Sequence, residues 1–433
     1  MQETLQQAVI SRPAENIFEK EFSRETIFLD RNMITPHFTP SKLLFRDKYI
    51  GEISAILSKT LHGKKPDNIF CYGKTGTGKT SVTRLVMQQL LEFASAKNIP
   101  IEGNYVNCRN HNSKYRTLIK IVKDFYPEED FMGYSAAFIY EKLLEYARGK
   151  TGKKADGPGR QLVVVLDEID KVKDLDELVY SLTRGNDELD NGGGRSGGIS
   201  IIGISNNLLF KDRLDPRTKS SLCEHEMVFP PYNAQELNDI LKQRAQLAFK
   251  PGTVEESAIA LAAAIAAQES GDARTAVMLL LKAGEIADRK GGMNGRMVTD
   301  REVMKAKVQV EEELVYSMVS TLPEQQQLVL YSIACLSLTK KPVQKITGES
   351  EEGVLFSGEV YDEYCRIAKK HKETVVSSRW YREYISELEM YGLIYTTASG
   401  KGIKGQTTLI KLGFEPEKIK GIIEREIMAE KPQ

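Results

Sequence analysis

Four short apolar runs punctuate the first half of the chain, around 68–72, 103–107, 161–166 and 199–205. Between them apolar residues recur at three- and four-residue spacing, as in VTRLVMQQLLEFA from Val82. Short runs read as buried strands and the spaced segments as amphipathic helices. Their alternation from about 30 to 230 predicts an α/β domain built on a parallel sheet. Two Gly-rich stretches, 148–160 and 185–198, are expected to be mobile surface insertions flanking core strands.

The pattern changes near 231. NAQELNDILKQRAQLAF, VEESAIALAAAIAAQE and ARTAVMLLLKAGEIAD carry helical spacing with no strand-like alternation, and predict an all-helical segment to about 310. From 311 three helices are expected, then a hairpin over 393–412 around a Gly/Lys tip. The first of these helices opens with Thr321 and Glu324 at capping-box spacing, with Pro323 in its first turn. In the last, SSRWYREYISELEMYG, Trp380, Tyr384, Leu388 and Tyr391, extended by Val376 and Ile385, are expected to face the core. Arg379, Arg382 and Ser386 then lie on another face. The expected domains are 1–230, 231–310 and 311–433.

A chain of 433 residues is too long for one ordinary domain. Its formal net charge is zero, so any polyanionic partner must be met by a local patch. One exists: residues 366–411 hold nine Lys/Arg against four Asp/Glu, about +5. The five cysteines are odd in number and lack C-x-x-C spacing, against a disulfide framework or a structural zinc site. No apolar run reaches transmembrane length, so no membrane partner and a cytoplasmic, nucleoid-associated protein are expected.

The stretch FCYGKTGTGKTSVTRLVMQQLLE supplies candidate chemistry. Gly73, Gly76, Gly78, Lys79 and Thr80 fill G-x-x-x-x-G-K-[ST] between a predicted strand and helix. The loop Gly73, Lys74, Thr75, Gly76, Thr77, Gly78, Lys79, Thr80, with Ser81 opening the helix, is expected to cradle the phosphates of ATP or ADP. Lys79 would reach the β- and γ-phosphates, and the Thr80 hydroxyl would ligate Mg²⁺. QLVVVLDEID places two carboxylates at the end of a doubly buried strand, where open α/β sheets bind ligands. Asp167 suits Mg²⁺ and Glu168 suits polarising the attacking water.

These motifs, a helical lid and a winged-helix-like end together resemble an AAA+ ATPase of the archaeal replication-initiator family. That family is related to the origin-recognition complex and the cell-division-cycle helicase-loading proteins of eukaryotes. The resemblance runs from about 25 to 412. It implies a P-loop NTPase core with a parallel sheet, a lid and a C-terminal winged-helix domain. ITPHFTPSKLLFRDKYIGEISAIL (34–57) is similar to the segment beside the adenine. IIGISNNLLF (201–210) is similar to the sensor-1 strand, with Asn206 rather than Asn207 as the polar sensor. RLDPRTKSSL (213–222) is similar to the arginine-finger box, with Arg217 chosen and Arg213 the other candidate. SGDARTAVMLL (270–280) is similar to the sensor-2 helix, with Arg274 facing the nucleotide.

The helix pair around KHKETVV reads as a helix-turn-helix, so Arg379 and Arg382, with Lys401 and Lys404 on the wing, are the expected DNA contacts. In the resembled family a helical element in the place of 111–147 also touches DNA. The expected function is an ATP-dependent, slowly hydrolysing initiator that binds double-stranded origin DNA and helps recruit or load the replicative helicase. A paralogous initiator or self-association is a further expected partnership. Two alternatives stay open: a nucleotide-switched signalling ATPase whose winged helix contacts protein, and a clamp-loader-type subunit. The signalling type commonly continues into a repeat-containing sensor, which this sequence does not show.

Overall fold

The computed structural model describes residues 25–150, 157–189, 197–207, 210–289, 297–339, 343–344, 350–351, 353–371, 373–398 and 408–429. The chain divides into two compact units between Ala306 and Lys307.

In the first unit, α1 (Asp47–Leu57), β1 (Ile69–Tyr72), α2 (Lys79–Ala96), β2 (Ile101–Asn107), α3 (Lys114–Phe125) and α4 (Ala136–Ala147) come first. They are followed by β3 (Gln161–Asp167), α5 (Leu175–Leu189), β4 (Gly198–Ser205), α6 (Pro216–Leu222) and β5 (His225–Val228). The strands form one parallel sheet in the order β2-β3-β4-β1-β5. Alternation along β3 explains its unbroken apolar sequence. Val163 and Val165 join Ile53 of α1 and Val82 and Val86 of α2 on one face. Leu162, Val164 and Leu166 join Leu118 of α3 and Leu178 and Leu182 of α5 on the other.

The four expected strands are present, and β5 is an addition. It pairs in parallel with β1, and only Met227 of its four residues is buried, so it carries no apolar run to read. The expected insertion at 185–198 is corrected in its first part: Gly185–Leu189 ends α5. A Cβ at Gly185 would lie 2.9 Å from Leu144 Cδ2, so the glycine serves close approach of α5 to α4 rather than a loop. Residues 190–196, and 151–156 of the other stretch, lie outside the described residues.

Three helices complete the unit: α7 (Ala234–Ala248), α8 (Glu256–Glu269) and α9 (Ala273–Asp288). Asn233 and Glu236 cap α7 reciprocally, each side chain accepting from the other's backbone N–H at 2.9 Å. An N-terminal strap is fastened to these helices. Phe28 packs on Phe249 with ring centroids 4.7 Å apart, and Ile27 N donates to Asp288 Oδ1 at 2.8 Å.

The helix α10 (Asp300–Ser320) runs through the division between the units, so the expected boundary near 310 falls within it. The second unit continues with α11 (Glu324–Thr339), the short strands β6 (Val343–Gln344), β7 (Ser350–Glu351) and β8 (Val354–Phe356), and α12 (Ser357–Lys370). Then come α13 (Ser378–Met390), β9 (Ile394–Ala398), β10 (Thr408–Leu412) and α14 (Pro416–Ala429). β10 pairs antiparallel with both β9 and β8. The core joins Leu328, Ile333, Tyr364, Ile410 and Ile423 to the buried side of α13.

Two expectations in this unit are corrected. Thr321 does not cap α11: its hydroxyl donates back to the Ser317 and Met318 carbonyls at 3.0 Å, closing α10. The buried stripe of α13 is Tyr381, Ile385 and Leu388, while Trp380 is 55% and Tyr391 44% exposed. An i, i+4, i+7 set stays within about 60° on a helix, and Trp380 lies about 100° from Tyr381, off that stripe.

Candidate functional site

β1, β3 and β4 are adjacent strands, and their carboxyl ends deliver the loop Gly73–Thr80, the pair Asp167-Glu168 and Asn206 to one side of the sheet. The loop enters α2 through Gly78, whose φ of 91° is costly for any residue with a Cβ. A cavity of about 330 Å³ lies here, within the usual range for small-molecule sites.

Lys79 is buried and folds back on its own loop. Its ammonium donates to the Gly73 carbonyl at 2.8 Å and the Lys74 carbonyl at 2.6 Å. Burial pulls its pKa down to about 8, with Asp167 opposing the shift. The Thr80 hydroxyl donates to Asp167 Oδ2 at 3.0 Å, and the Tyr105 hydroxyl donates to the same oxygen. Burial and the Asp167 carboxylate push the Tyr105 phenol above its usual range, so it remains a donor. The Arg84 guanidinium lies 4.4 Å over the Tyr105 ring.

Glu168 adopts a left-handed backbone at φ 53°, with its N–H turned onto Asp167 Oδ1 at 3.0 Å. Strained backbone of this kind persists where surrounding structure over-determines it. At the end of β4, Ser205 donates to Asp170 at 2.8 Å and receives the Asn207 N–H at 3.0 Å. Of the adjacent pair, Asn206 and not Asn207 lines the cavity, together with Asn107 of β2.

The far wall comes from 36–46 and from the helices after β5. Phe38, Pro40 and Leu43 line it opposite Ile240, Arg244 and Val277. Arg244 is buried and braces this wall, donating to the Met33 carbonyl at 3.0 Å and the Phe38 carbonyl at 2.6 Å. Burial lowers its pKa to about 10. Asp272 caps α9, accepting from Arg274 N at 2.7 Å and Thr275 Oγ1 at 3.1 Å. Its buried carboxyl packs against Gly76 so closely that a Cβ there would overlap it, and burial raises its pKa.

The cavity therefore gathers Thr75, Gly76, Gly78, Lys79, Thr80 and Ser81 with Asp167, Glu168, Asn206 and Arg274. Gly73 and Lys74 contribute the carbonyls that hold Lys79, and buried Thr77 donates to the Lys74 carbonyl at 2.9 Å. Arg217 is not in the cavity. It sits exposed in the first turn of α6, its N–H donating to Asp215 Oδ1 at 2.7 Å. The Arg213 side chain, Lys401 and Lys404 lie outside the described residues. Sequence reading gave no role to Arg46, Tyr105, Arg244 or Asp272, although Asp272 holds a readable N-cap position before the helix of ARTAVMLL.

The donor set suits both implied ligands. Lys79 is a buried cation held by loop carbonyls, beside glycines whose close packing on Phe229, Asp272 and Tyr232 leaves no room for a Cβ. The Thr80 hydroxyl and Asp167 carboxylate are the hard oxygens that Mg²⁺ prefers. Cys71 and Cys108 are buried thiols pushed up to about 12, which keeps them protonated and unreactive.

In the second unit α13 turns Arg379 and Arg382 outward, Arg379 opposite its buried stripe and Arg382 on its flank. The preceding helix is tied to this turn, with the Tyr361 hydroxyl donating to the Val376 carbonyl at 3.0 Å and Val376 N donating to the Tyr364 hydroxyl at 3.1 Å. Among the described residues no helix is long and apolar enough to cross a membrane.

Three family models match the chain: an AAA domain over 62–204, a Cdc6 AAA+ ATPase-type lid domain over 238–308, and a CDC6 C-terminal winged helix domain over 317–421. The chain is 38% identical over 414 residues to an ORC1-type DNA replication protein of Pyrococcus abyssi, covering 94% of this chain and 92% of that one. It is 41% identical over 408 residues to an ORC1-type DNA replication protein 1 of Sulfurisphaera tokodaii, covering 93% and 95%. The solved structure of the Aeropyrum pernix Orc1 protein in complex with DNA superposes with a TM-score of 0.78 at 34% identity, covering 94% of this chain and 99% of that one. The chain belongs to the archaeal Orc1/Cdc6 family of AAA+ ATPases, with an ATPase domain, a lid and a C-terminal winged helix.

Proposed function

We propose that this chain is an ATP-dependent initiator of DNA replication that binds double-stranded origin DNA. ATP binding and slow hydrolysis set the state in which it helps recruit or load the replicative helicase. The observation that carries the DNA reading is the outward face of α13. Arg379 and Arg382 are exposed there while Tyr381, Ile385 and Leu388 fix the helix from behind. A helix so anchored can enter a groove without disturbing the core. The DNA-bound Aeropyrum pernix relative supports the same reading. Lys401 and Lys404 are proposed to hold the backbone from the wing.

At the nucleotide site, Lys79 exchanges its loop carbonyls for β- and γ-phosphate oxygens of ATP. Thr80 and Asp167 hold Mg²⁺, which supplies neutralisation of phosphate charge when bound. Glu168 orients the attacking water and takes its proton, and Asn206 holds that water in line. Arg274 reads the phosphate from the lid side. Arg217, exposed and outside its own cavity, acts on ATP held by a second ATPase subunit, a paralogous initiator or another copy. The proposed division of labour is 1–230 for hydrolysis, 231–310 for the lid and 311–433 for DNA.

Fluorescence anisotropy of the full chain on double-stranded DNA, over a salt series with and without ATP, tests this. Salt-sensitive binding is expected, with a log–log slope that falls by roughly two in Arg379→Ala/Arg382→Ala. Binding that is absent, or unchanged by the double substitution, would transfer the winged helix to protein docking and favour a signalling ATPase.

A further inference from the structure

The Gly73–Thr80 loop is also held by a buried cation that lines the same cavity and has no part in the proposed hydrolysis. Arg46 is 3% exposed and none of the ion pairs among the described residues involves it. Its Nε donates to the Thr77 carbonyl at 2.9 Å, inside the loop. Its Nη2 donates to the Pro230 carbonyl at 3.0 Å, just before α7, and its Nη1 to the Phe45 carbonyl at 2.9 Å. The guanidinium lies 3.7 Å over the Tyr232 ring. Phe45 takes a left-handed φ of 59° immediately before it, a costly conformation that delivers the side chain inward.

These contacts close a circuit. Tyr232 N donates to the Gly271 carbonyl at 2.9 Å, Asp272 follows, and Ala273 N donates to the Gly76 carbonyl at 3.3 Å. Gly78 faces the same group: a Cβ there would lie 2.9 Å from the Tyr232 hydroxyl and 3.5 Å from Arg46 Nε. The loop is thus held at Thr77, through Arg46, from the Pro230–Tyr232 segment that leads into α7, is closely approached there at Gly78, and is held at Gly76 from the start of α9. A buried guanidinium without a carboxylate partner is costly unless polar groups or an anion compensate it. Backbone carbonyls and one ring face do so here, and phosphates in the loop would add to them.

We propose that Arg46 is a positioning residue that couples the phosphate loop to the lid hinge, so that nucleotide occupancy is transmitted to the lid through one guanidinium. This rests on the reading that the Gly73–Thr80 loop binds nucleotide. Arg is required because its rigid fork reaches three carbonyls at once, whereas the single ammonium of Lys cannot span loop and hinge together.

Amide hydrogen exchange on the full chain, with ADP and Mg²⁺ at saturation verified by calorimetry, tests the coupling. In the unsubstituted chain ADP slows exchange both over 73–80 and over the segments 232–235 and 271–276. In Arg46→Lys, ADP still protects the loop, but its added protection at the hinge falls about tenfold, in the usual range of coupling between sites. Tyr232→Leu, which removes the ring and leaves the hydrogen bonds, gives the same direction and replaces Arg46→Lys if that variant folds poorly. A merely structural Arg46 would loosen the hinge equally with and without ADP. That result, or hinge protection unchanged from the parent, overturns the coupling alone. No ADP response in the unsubstituted chain overturns the nucleotide reading and the coupling with it.

Discussion

Thr80 and Asp167, 87 positions apart in sequence, meet through a hydrogen bond of 3.0 Å from hydroxyl to carboxylate. The bond joins the first turn of α2 to the end of β3, two strands away from β1 in the sheet. It shows how a fold with helices on both faces brings the two proposed cation ligands together. Tyr105 donates to the same oxygen from β2 and holds the carboxylate in place.

The tasks proposed for the two carboxylates at the end of β3 are separable by experiment. Asp167→Asn keeps the shape but removes the charge, so nucleotide affinity should lose its dependence on Mg²⁺ and hydrolysis should fall about a hundredfold. Glu168→Gln should lower kcat by a hundredfold or more while ATP affinity stays within about threefold. Phosphate release and calorimetric titration with and without Mg²⁺ separate the two; equal behaviour would dissolve the assignment.

Lys79 predicts a proton signature. Its folded pKa of about 8 lies below the ordinary 10.5, so the buried cation disfavours the fold below pH 8. That penalty is relieved as pH rises from about 8 to 10.5, and stability gains from this group across that window. Phosphate oxygens should restore the charge. ADP binding at pH 9 is therefore expected to take up close to one proton, about 0.9 for a group of pKa 8. Calorimetry in buffers of differing ionisation enthalpy reads this directly, and Lys79→Met should abolish it.

The two faces of α13 should respond unequally in stability. Leu388 is fully buried, so Leu388→Ala should cost about 2–5 kcal/mol in urea unfolding. Trp380→Ala, at a position 55% exposed, should fall within about 0.5 kcal/mol of the parent. A large loss at Trp380 would restore it to the core.

Arg217 stands outside the cavity its own chain forms. Arg217→Ala should leave nucleotide affinity and basal hydrolysis of the dilute chain unchanged. A defect should emerge only in mixtures where a second ATPase subunit raises turnover, followed as phosphate release against concentration. A basal defect of about tenfold at high dilution would argue for action in cis.

That Gly73–Thr80 and Asp167-Glu168 would meet at one cavity was legible because each stretch is contiguous. Gly73–Thr80 is contiguous and flanked by a strand and a helix, and Asp167-Glu168 ends an apolar run that only a doubly covered sheet explains. What escaped is what depends on distant chain segments meeting. Arg46 reaches Pro230 across 184 positions, and Arg244 reaches Met33 across 211. Neither contact leaves a spacing to read. β5 escaped because an edge strand with one buried residue has no apolar signature. On α13 the large aromatics outweighed the narrower stripe, and Trp380 was placed inside although Tyr381 holds that position.

The strand order also governs when the site can exist. β1 leads into the Gly73–Thr80 loop, yet its partners are β4 and β5, the last two strands of that five-stranded sheet to be made. Between the end of β1 at Tyr72 and the start of β4 at Gly198 lie 198 − 72 = 126 residues of synthesis. At the usual translation rates of 5–20 residues per second that is roughly 6 to 25 seconds. A growing chain therefore displays its phosphate loop long before the strand beneath it has a neighbour, and acquires a nucleotide-competent sheet only once β4 has inserted beside β1.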